Sequence, residues 1–231
     1  MARQPDIELQ ANNRATRGYL VQPEGDGPWP GVVVVQEWWG LNDHIRDIVD
    51  RFAAEGFVAL APDLYYGETA AEPDEARKLA MGLEYPDALR VIQAAIDYLI
   101  DLEQVALKKV GLVGFCMGGG LAWHGAAHLQ GLSAAAPCYG GGPDMTPEDA
   151  ARIRVPVLAI YGELDRGVSP EVAQRRAALM EAAGVQHETV IYPEAQHAFM
   201  NDQRPAYHPE AAEDAWQRIV ALFRQMAQQP D

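Results

Sequence analysis

The chain is poor in cysteine, with two among 231 residues. Two thiols cannot build a disulfide framework, so the fold must rest on an apolar core. Long apolar runs are missing as well. None approaches the roughly 18 residues of a membrane span, and the start lacks the apolar stretch of a secretory signal. A soluble, cytoplasmic protein is therefore expected. Basic residues are scarce: 18 Lys and Arg stand against 33 Asp and Glu, a formal charge of −15. Binding to nucleic acid or an anionic membrane needs a basic face, so neither is expected as a partner. No His/Cys/Asp cluster has zinc spacing, and no Gly-x-Gly-x-x-Gly opens a helix after the first strand. No metal and no cofactor are expected on that reading. Repeats, low-complexity tracts and linkers are absent too, so residues 1–231 are expected to form a single domain.

What is present is an alternation of apolar strands and amphipathic helices in a chain that is 48% hydrophobic. Short strands are expected around Ile7–Leu9 and Gly18–Val21, then a Gly/Pro-rich turn from Pro23 to Pro30. Gly31–Val35 is a continuous β-branched run, the mark of a parallel strand covered on both faces. Asn42 or Asp43 can cap a helix through Ile45, Ile48, Val49 and Phe52, ended by Gly56. Phe57–Ala61 reads as the next strand. The polar stretch 63–84 holds one short helix near Asp74–Met81 and is long enough to carry a lid or part of a pocket. Pro86 opens a strong helix through Leu89, Ile92, Ile96 and Leu99. Lys109–Val113, Ser133–Pro137, Val155–Tyr161 and His187–Tyr192 read as further strands. Helices are expected over Met117–His128, from Ser169-Pro170 to Ala183, and from Pro209 onward. The expected class is α/β, a mostly parallel sheet with helices on both faces.

The chain is organised around Gly114-Phe115-Cys116-Met117-Gly118, where an apolar strand must reverse into a helix. This is the pattern of a nucleophile elbow with cysteine in the place of serine. A free cysteine alone is more often a small buried apolar group. At the amino end of a helix, however, free N–H groups and the helix dipole favour a thiolate. A thiol nucleophile needs a base and something to orient it. Asp165 follows one strand by a tight turn, and His197 follows the last strand in a loop. Glu163, two residues away, can replace Asp165 in this reading. The order nucleophile, acid, histidine is that of α/β-hydrolases. The carboxyl ends of parallel strands share one edge, so three residues so placed can converge.

Gly114-Phe115-Cys116-Met117-Gly118-Gly119, Gln36-Glu37-Trp38-Trp39-Gly40, Tyr161-Gly162-x-x-Asp165 and His197-x-Phe199 together resemble the dienelactone hydrolase family, whose members are carboxymethylenebutenolidase-like. The resemblance runs from about residue 6 to 225. It implies an α/β-hydrolase fold and cleavage of a small ester or lactone through a Cys116–His197–Asp165 triad and a thioester. It further implies that Glu37, half-buried by the tryptophans, holds the cysteine's proton in the resting enzyme. The N–H groups of Met117 and Trp38 are implied as the oxyanion hole. Trp39 and Phe199 are candidate pocket residues. Arg77 and Arg204 lie in the regions from which the family's arginines grip a substrate carboxylate. The position four after His197 is Asn201 rather than arginine, so dienelactone itself is not the expected substrate. Two other classes stay open: a thiol redox sensor using Cys116 and Cys138, and a non-catalytic binding module on the same fold.

Overall fold

The computed structural model describes residues 2–3 and 6–228; the outermost residues of the expected 1–231 domain lie outside them. One nine-stranded sheet runs through the chain. Its strands are β1 (Ala2–Arg3), β2 (Ile7–Ala11), β3 (Arg14–Gln22), β4 (Trp29–Val35), β5 (Val58–Pro62), β6 (Val105–Phe115), β7 (Leu132–Cys138), β8 (Val157–Gly162) and β9 (His187–Tyr192). The spatial order is β1-β3-β5-β4-β6-β7-β8-β9, with β2 paired to β3 off this path. The first three strands join antiparallel, and β3 meets β5 antiparallel. From β5 to β9 every neighbouring pair is parallel.

The valine run explains the layering. Val32 and Val34 join one apolar core and Val33 and Val35 another, because successive side chains of a strand point to opposite faces. On the first face lie α1 (Asp43–Ala54) and α7 (Pro209–Met226), which contribute Ile45, Phe52, Trp216 and Phe223. On the second lie α3 (Tyr85–Asp101) and α4 (Met117–His128), with Ile92, Ile96 and Leu121. Farther along, α6 (Pro170–Ala182) packs with α4 over β7 and β8 through Trp123, Ala173 and Met180. Asn42 caps α1, its side chain accepting from the Ile45 N–H at 3.2 Å.

Two features depart from expectation, and a third, the helix expected near Asp74–Met81, is present. The central strand β6 starts at Val105, not Lys109, because its first residues pair with β4 across a bulge at Trp29/Gly31. A four-residue helix, α5 (Pro147–Ala150), follows the Gly140–Pro143 loop. Its Thr146–Asp149 capping box is a short-range signal that apolar periodicity does not register. The stretch 63–84 folds back onto the tryptophans: α2 (Pro73–Met81) and Ala70 pack against Trp39 and Trp38, and the Ala70 N–H donates to the Trp39 carbonyl at 3.0 Å.

Candidate active site

Four of the parallel strands deliver the site at their carboxyl ends. β4 leads to Glu37, Trp38 and Trp39, β6 to Cys116, β8 to Asp165 and β9 to His197. At the elbow Cys116 takes φ 55° and ψ −115°. A residue with a side chain rarely adopts a positive φ, and such strain gathers where a group must be held up into a site. The turn closes because Gly118 has no side chain: a Cβ there would stand 2.5 Å from the carbonyl oxygens of Val35 and Gln36. Met117 is the first residue of α4, so its N–H has no acceptor within the helix.

His197 stands between the other two groups. Its Nδ1 lies 2.7 Å from Asp165 Oδ2 and its Nε2 lies 3.1 Å from Cys116 Sγ. Asp165 is buried, and its Oδ1 accepts from the N–H groups of Gly167 at 2.7 Å and Val168 at 2.9 Å. The two loops are knitted together, since the Leu164 N–H donates to the Ala195 carbonyl at 2.8 Å. Burial works against charge on the imidazole, but the hydrogen bonds and charges of Asp165 and Cys116 outweigh it and raise His197 to about 10. Glu163 points elsewhere and accepts the Glu194 N–H at 3.1 Å. Of the two acidic candidates, then, Asp165 is the one at the imidazole.

Glu37 is 2% exposed. Its Oε2 accepts from Asn201 Nδ2 at 2.7 Å, whereas Oε1 is buried without a partner among the described residues. Burial raises its pKa, opposed by the Asn201 hydrogen bond and the charges of His197 and Arg204. The hydrogen-bond partner of the Cys116 sulfur is His197, and that of Glu37 is Asn201. Trp38 and Trp39 meet edge to face with ring centres 5.1 Å apart, and the Arg204 guanidinium sits 3.9 Å over the Trp39 ring. Glu37, Trp38, Trp39, Cys116, His197 and Arg204 all line one cavity of about 590 Å³. That volume suits a small organic molecule.

Two candidates fall outside the cavity. Phe199 is fully buried in the core, packed against Tyr139 and Tyr192, because the loop turns inward just after His197. Arg77 projects from the exposed side of α2 and pairs with Asp74 at 3.5 Å. Its helix buries Ala76 instead, so Arg77 is a surface charge. Two neighbours of the site carried no motif. Asn201 holds Glu37, and Tyr139 sets its ring edge to face with His197 at 5.4 Å. Tyr139 directly follows β7, so its place at the same sheet edge was the available signal. Cys138 is fully buried and its thiol donates to the Ala136 carbonyl at 3.6 Å. Burial pushes that thiol's pKa up.

A strained elbow at the end of the central parallel strand, with acid and histidine following two later strands, defines an α/β-hydrolase. Residues 16–227 match the sequence profile of the dienelactone hydrolase family. The chain belongs to that family and is an ester or lactone hydrolase. Among its relatives, Protein usf of Aquifex pyrophilus is 38% identical over 228 residues, covering 95% of this chain and 97% of that one. A Klebsiella pneumoniae crystal structure provisionally named a dienelactone hydrolase superposes with a TM-score of 0.87 at 32% identity, covering 96% and 98% of the two chains. The metagenomic protein P91, described as a dienelactone hydrolase-like promiscuous phosphotriesterase, gives 0.83 at 28% identity, covering 96% and 97%.

Proposed function

We propose that the protein cleaves small carboxylic esters or lactones with Cys116 as nucleophile, through a thioester intermediate. The observation that carries this is the placement of His197 within 3.1 Å of the Cys116 sulfur and 2.7 Å of the Asp165 carboxylate. His197 takes the thiol proton, and the thiolate attacks the substrate carbonyl. The N–H groups of Met117 and Trp38 receive the developing oxyanion. Collapse breaks the ester C–O bond, and the leaving oxygen takes the proton from the imidazolium. The acyl group now sits on sulfur. His197 next removes a proton from water, whose oxygen attacks the thioester. The thiolate leaves and the carboxylic acid departs, its proton balance restored through His197. Asp165 holds the Nδ1 proton throughout and stabilises the charged ring.

Glu37 is assigned to keep that proton on the resting thiol, before substrate arrives and His197 takes it. Its burial and its unpartnered Oε1 support this, since a carboxyl in that setting favours its protonated form. Arg204 is assigned to an anionic or strongly polar group of the substrate, being a cation that lines the cavity. Two free cysteines, one of them deep in the core, fit a reducing, cytoplasmic setting. Among the described residues, no helix is long and apolar enough to cross a membrane. The redox reading gains no support from Cys138, whose buried thiol is engaged with a main-chain carbonyl.

The test is hydrolysis of p-nitrophenyl acetate, aryl esters and lactones by the parent and by Cys116→Ala. Turnover should fall by about 10⁴-fold or more while the circular dichroism spectrum is unchanged. Mass spectrometry of the quenched parent should find an acyl group on Cys116. Unchanged turnover in Cys116→Ala ends the proposal. The name of P91 makes a phosphotriester a useful second arm of the panel.

A further inference from the structure

We propose that His124, His128 and Asp149 form a binding site for one divalent transition-metal ion, zinc in particular, joining the far end of α4 to α5. His124 and His128 stand four residues apart, so one side of α4 presents both rings. The rings lie nearly parallel, 12° apart, with centres separated by 6.5 Å. Asp149 comes from α5, and ligand atoms from all three residues lie within 4.8 Å of one another. His128 Nε2 is 3.0 Å from Asp149 Oδ1. Two donors bound to one tetrahedral zinc stand about 3.3 Å apart, given bonds of roughly 2.0–2.1 Å. The observed pair is close to that separation already. Two imidazoles and a carboxylate make a donor set that zinc accepts, with a fourth position left for water.

The neighbours orient these donors. Asp149 Oδ2 accepts from the Thr146 N–H at 3.1 Å and from its hydroxyl at 2.8 Å, which leaves Oδ1 facing His128. His124 is hydrogen-bonded to the Pro143 carbonyl. A carbonyl only accepts, so that ring nitrogen carries the proton and the other offers a lone pair. Donation of one ring N–H to a carbonyl is the usual outer support of a metal-bound histidine. One neighbour opposes the ion. Arg152 Nη1 lies 3.3 Å from His128 Nδ1, and an arginine can only donate, which keeps the His128 proton on Nε2. An ion bound at Nε2 needs that proton on Nδ1, so Arg152, which is exposed, must turn away. The sequence expectation of no metal passed over this site because His124-x-x-x-His128 lacks a third ligand nearby. Only the fold brings Asp149, 21 residues beyond His128, to the pair.

The site lies away from the chemistry. α4 begins next to the nucleophile and ends at His128, 12 residues long, or about 18 Å at 1.5 Å per residue. The ion would lock the outer end of the helix that carries the elbow. The experiment is titration of zinc chloride into chelator-stripped, full-length protein, followed by calorimetry. A Cys116→Ala background removes the competing active-site thiol. One ion per chain is expected, with a rise in Tm when zinc is in excess. His128→Gln, at the surface, and Asp149→Asn, half-buried, should each weaken binding by at least about tenfold. Arg152→Gln should tighten it. In the Cys116-containing protein, His128→Gln should leave ester turnover at the parental value. Failure of zinc to bind saturably overturns the proposal. So does a dissociation constant unchanged in a His124→Gln, His128→Gln double variant, because the ion would then sit elsewhere.

Discussion

Asn201 donates a 2.7 Å hydrogen bond to Glu37 Oε2 across 164 residues of chain, and the opposite oxygen of the same carboxyl has no partner among the described residues. The pair ties the loop after β9 to the end of β4 in the wall of the cavity, which both residues line.

A first prediction concerns that carboxyl. Burial raises its pKa, so the folded protein holds the proton more tightly than the unfolded chain does. For a raised pKa the stabilising contribution is complete below the ordinary value of 4.5 and is lost as pH climbs through the folded value. Glu37→Gln keeps the shape and removes the charge. It should be more stable than the parent at neutral pH, and its Tm should decline less as pH rises above 4.5. Asn201→Ala should go the other way, costing about 1–3 kcal/mol for an unpartnered buried acceptor. Parallel Tm-against-pH curves for Glu37→Gln and the parent would contradict a buried titrating carboxyl here.

The second prediction follows the imidazole. Burial opposes its charge, and Asp165 and Cys116 raise it to about 10. Stability from this pairing is therefore complete below the ordinary histidine value of 6.5 and drains away as pH rises through about 10. In the proposed mechanism this proton is given to the leaving group, so kcat/KM should show an alkaline limb near pH 10. Asp165→Asn removes the largest of the raising influences. The limb should move to lower pH, and turnover at neutral pH should drop by as much as about 10⁴-fold. A pH profile that keeps its alkaline limb in Asp165→Asn would separate Asp165 from the histidine's titration.

The third prediction tests the elbow as a steric object. Gly118→Ala places a Cβ 2.5 Å from two main-chain carbonyl oxygens at the end of β4, and buried main chain there cannot step aside. The variant should lose about 3 kcal/mol or more, at the upper end of overpacking costs. Urea denaturation measures it, together with Cys116 alkylation by iodoacetamide, which should change rate as the elbow shifts. Gly141→Ala is the control, because its nearest neighbour would be a flexible Val168 methyl at 3.6 Å.

Why the parallel half of the sheet was legible is plain from its strands. Val32–Val35 and Val157–Tyr161 are apolar on both faces, and each is followed by a turn that carries chemistry. Cys116, Asp165 and His197 stand just past strand ends, so counting strands placed them at one edge. What escaped depended on contacts between distant segments. Nothing near Asn201 announces a bond to Glu37. Phe199 sits two residues from His197 yet points into the core, a reversal that comes with the positive φ of 60° at Ala198 between them. His124 and His128 show a ligand spacing that gains its meaning only when α5 brings Asp149.

The last prediction separates Arg204 from Arg77, for which the sequence reading already favours a surface charge. Arg204 lies over the Trp39 ring at 3.9 Å and faces the cavity, whereas Arg77 is 64% exposed and paired with its helix neighbour Asp74. Of the other titratable side chains lining the cavity, His197 is engaged with Asp165 and Cys116, and Glu37 has a raised pKa and is held by Asn201, so Arg204 is the cation placed to meet an anionic substrate group. A charge-assisted hydrogen bond contributes about 1.5 kcal/mol or more, which corresponds to roughly tenfold in affinity. Arg204→Gln should therefore raise KM by about tenfold for an ester bearing a carboxylate, and far less for a neutral ester of the same size. Arg77→Gln should alter neither. The measurement is KM for a matched pair of aryl esters, one acidic and one neutral, with each variant. Equal effects on the two esters would mean that Arg204 supports the tryptophan wall by stacking alone, and that the anionic end of the substrate is read elsewhere.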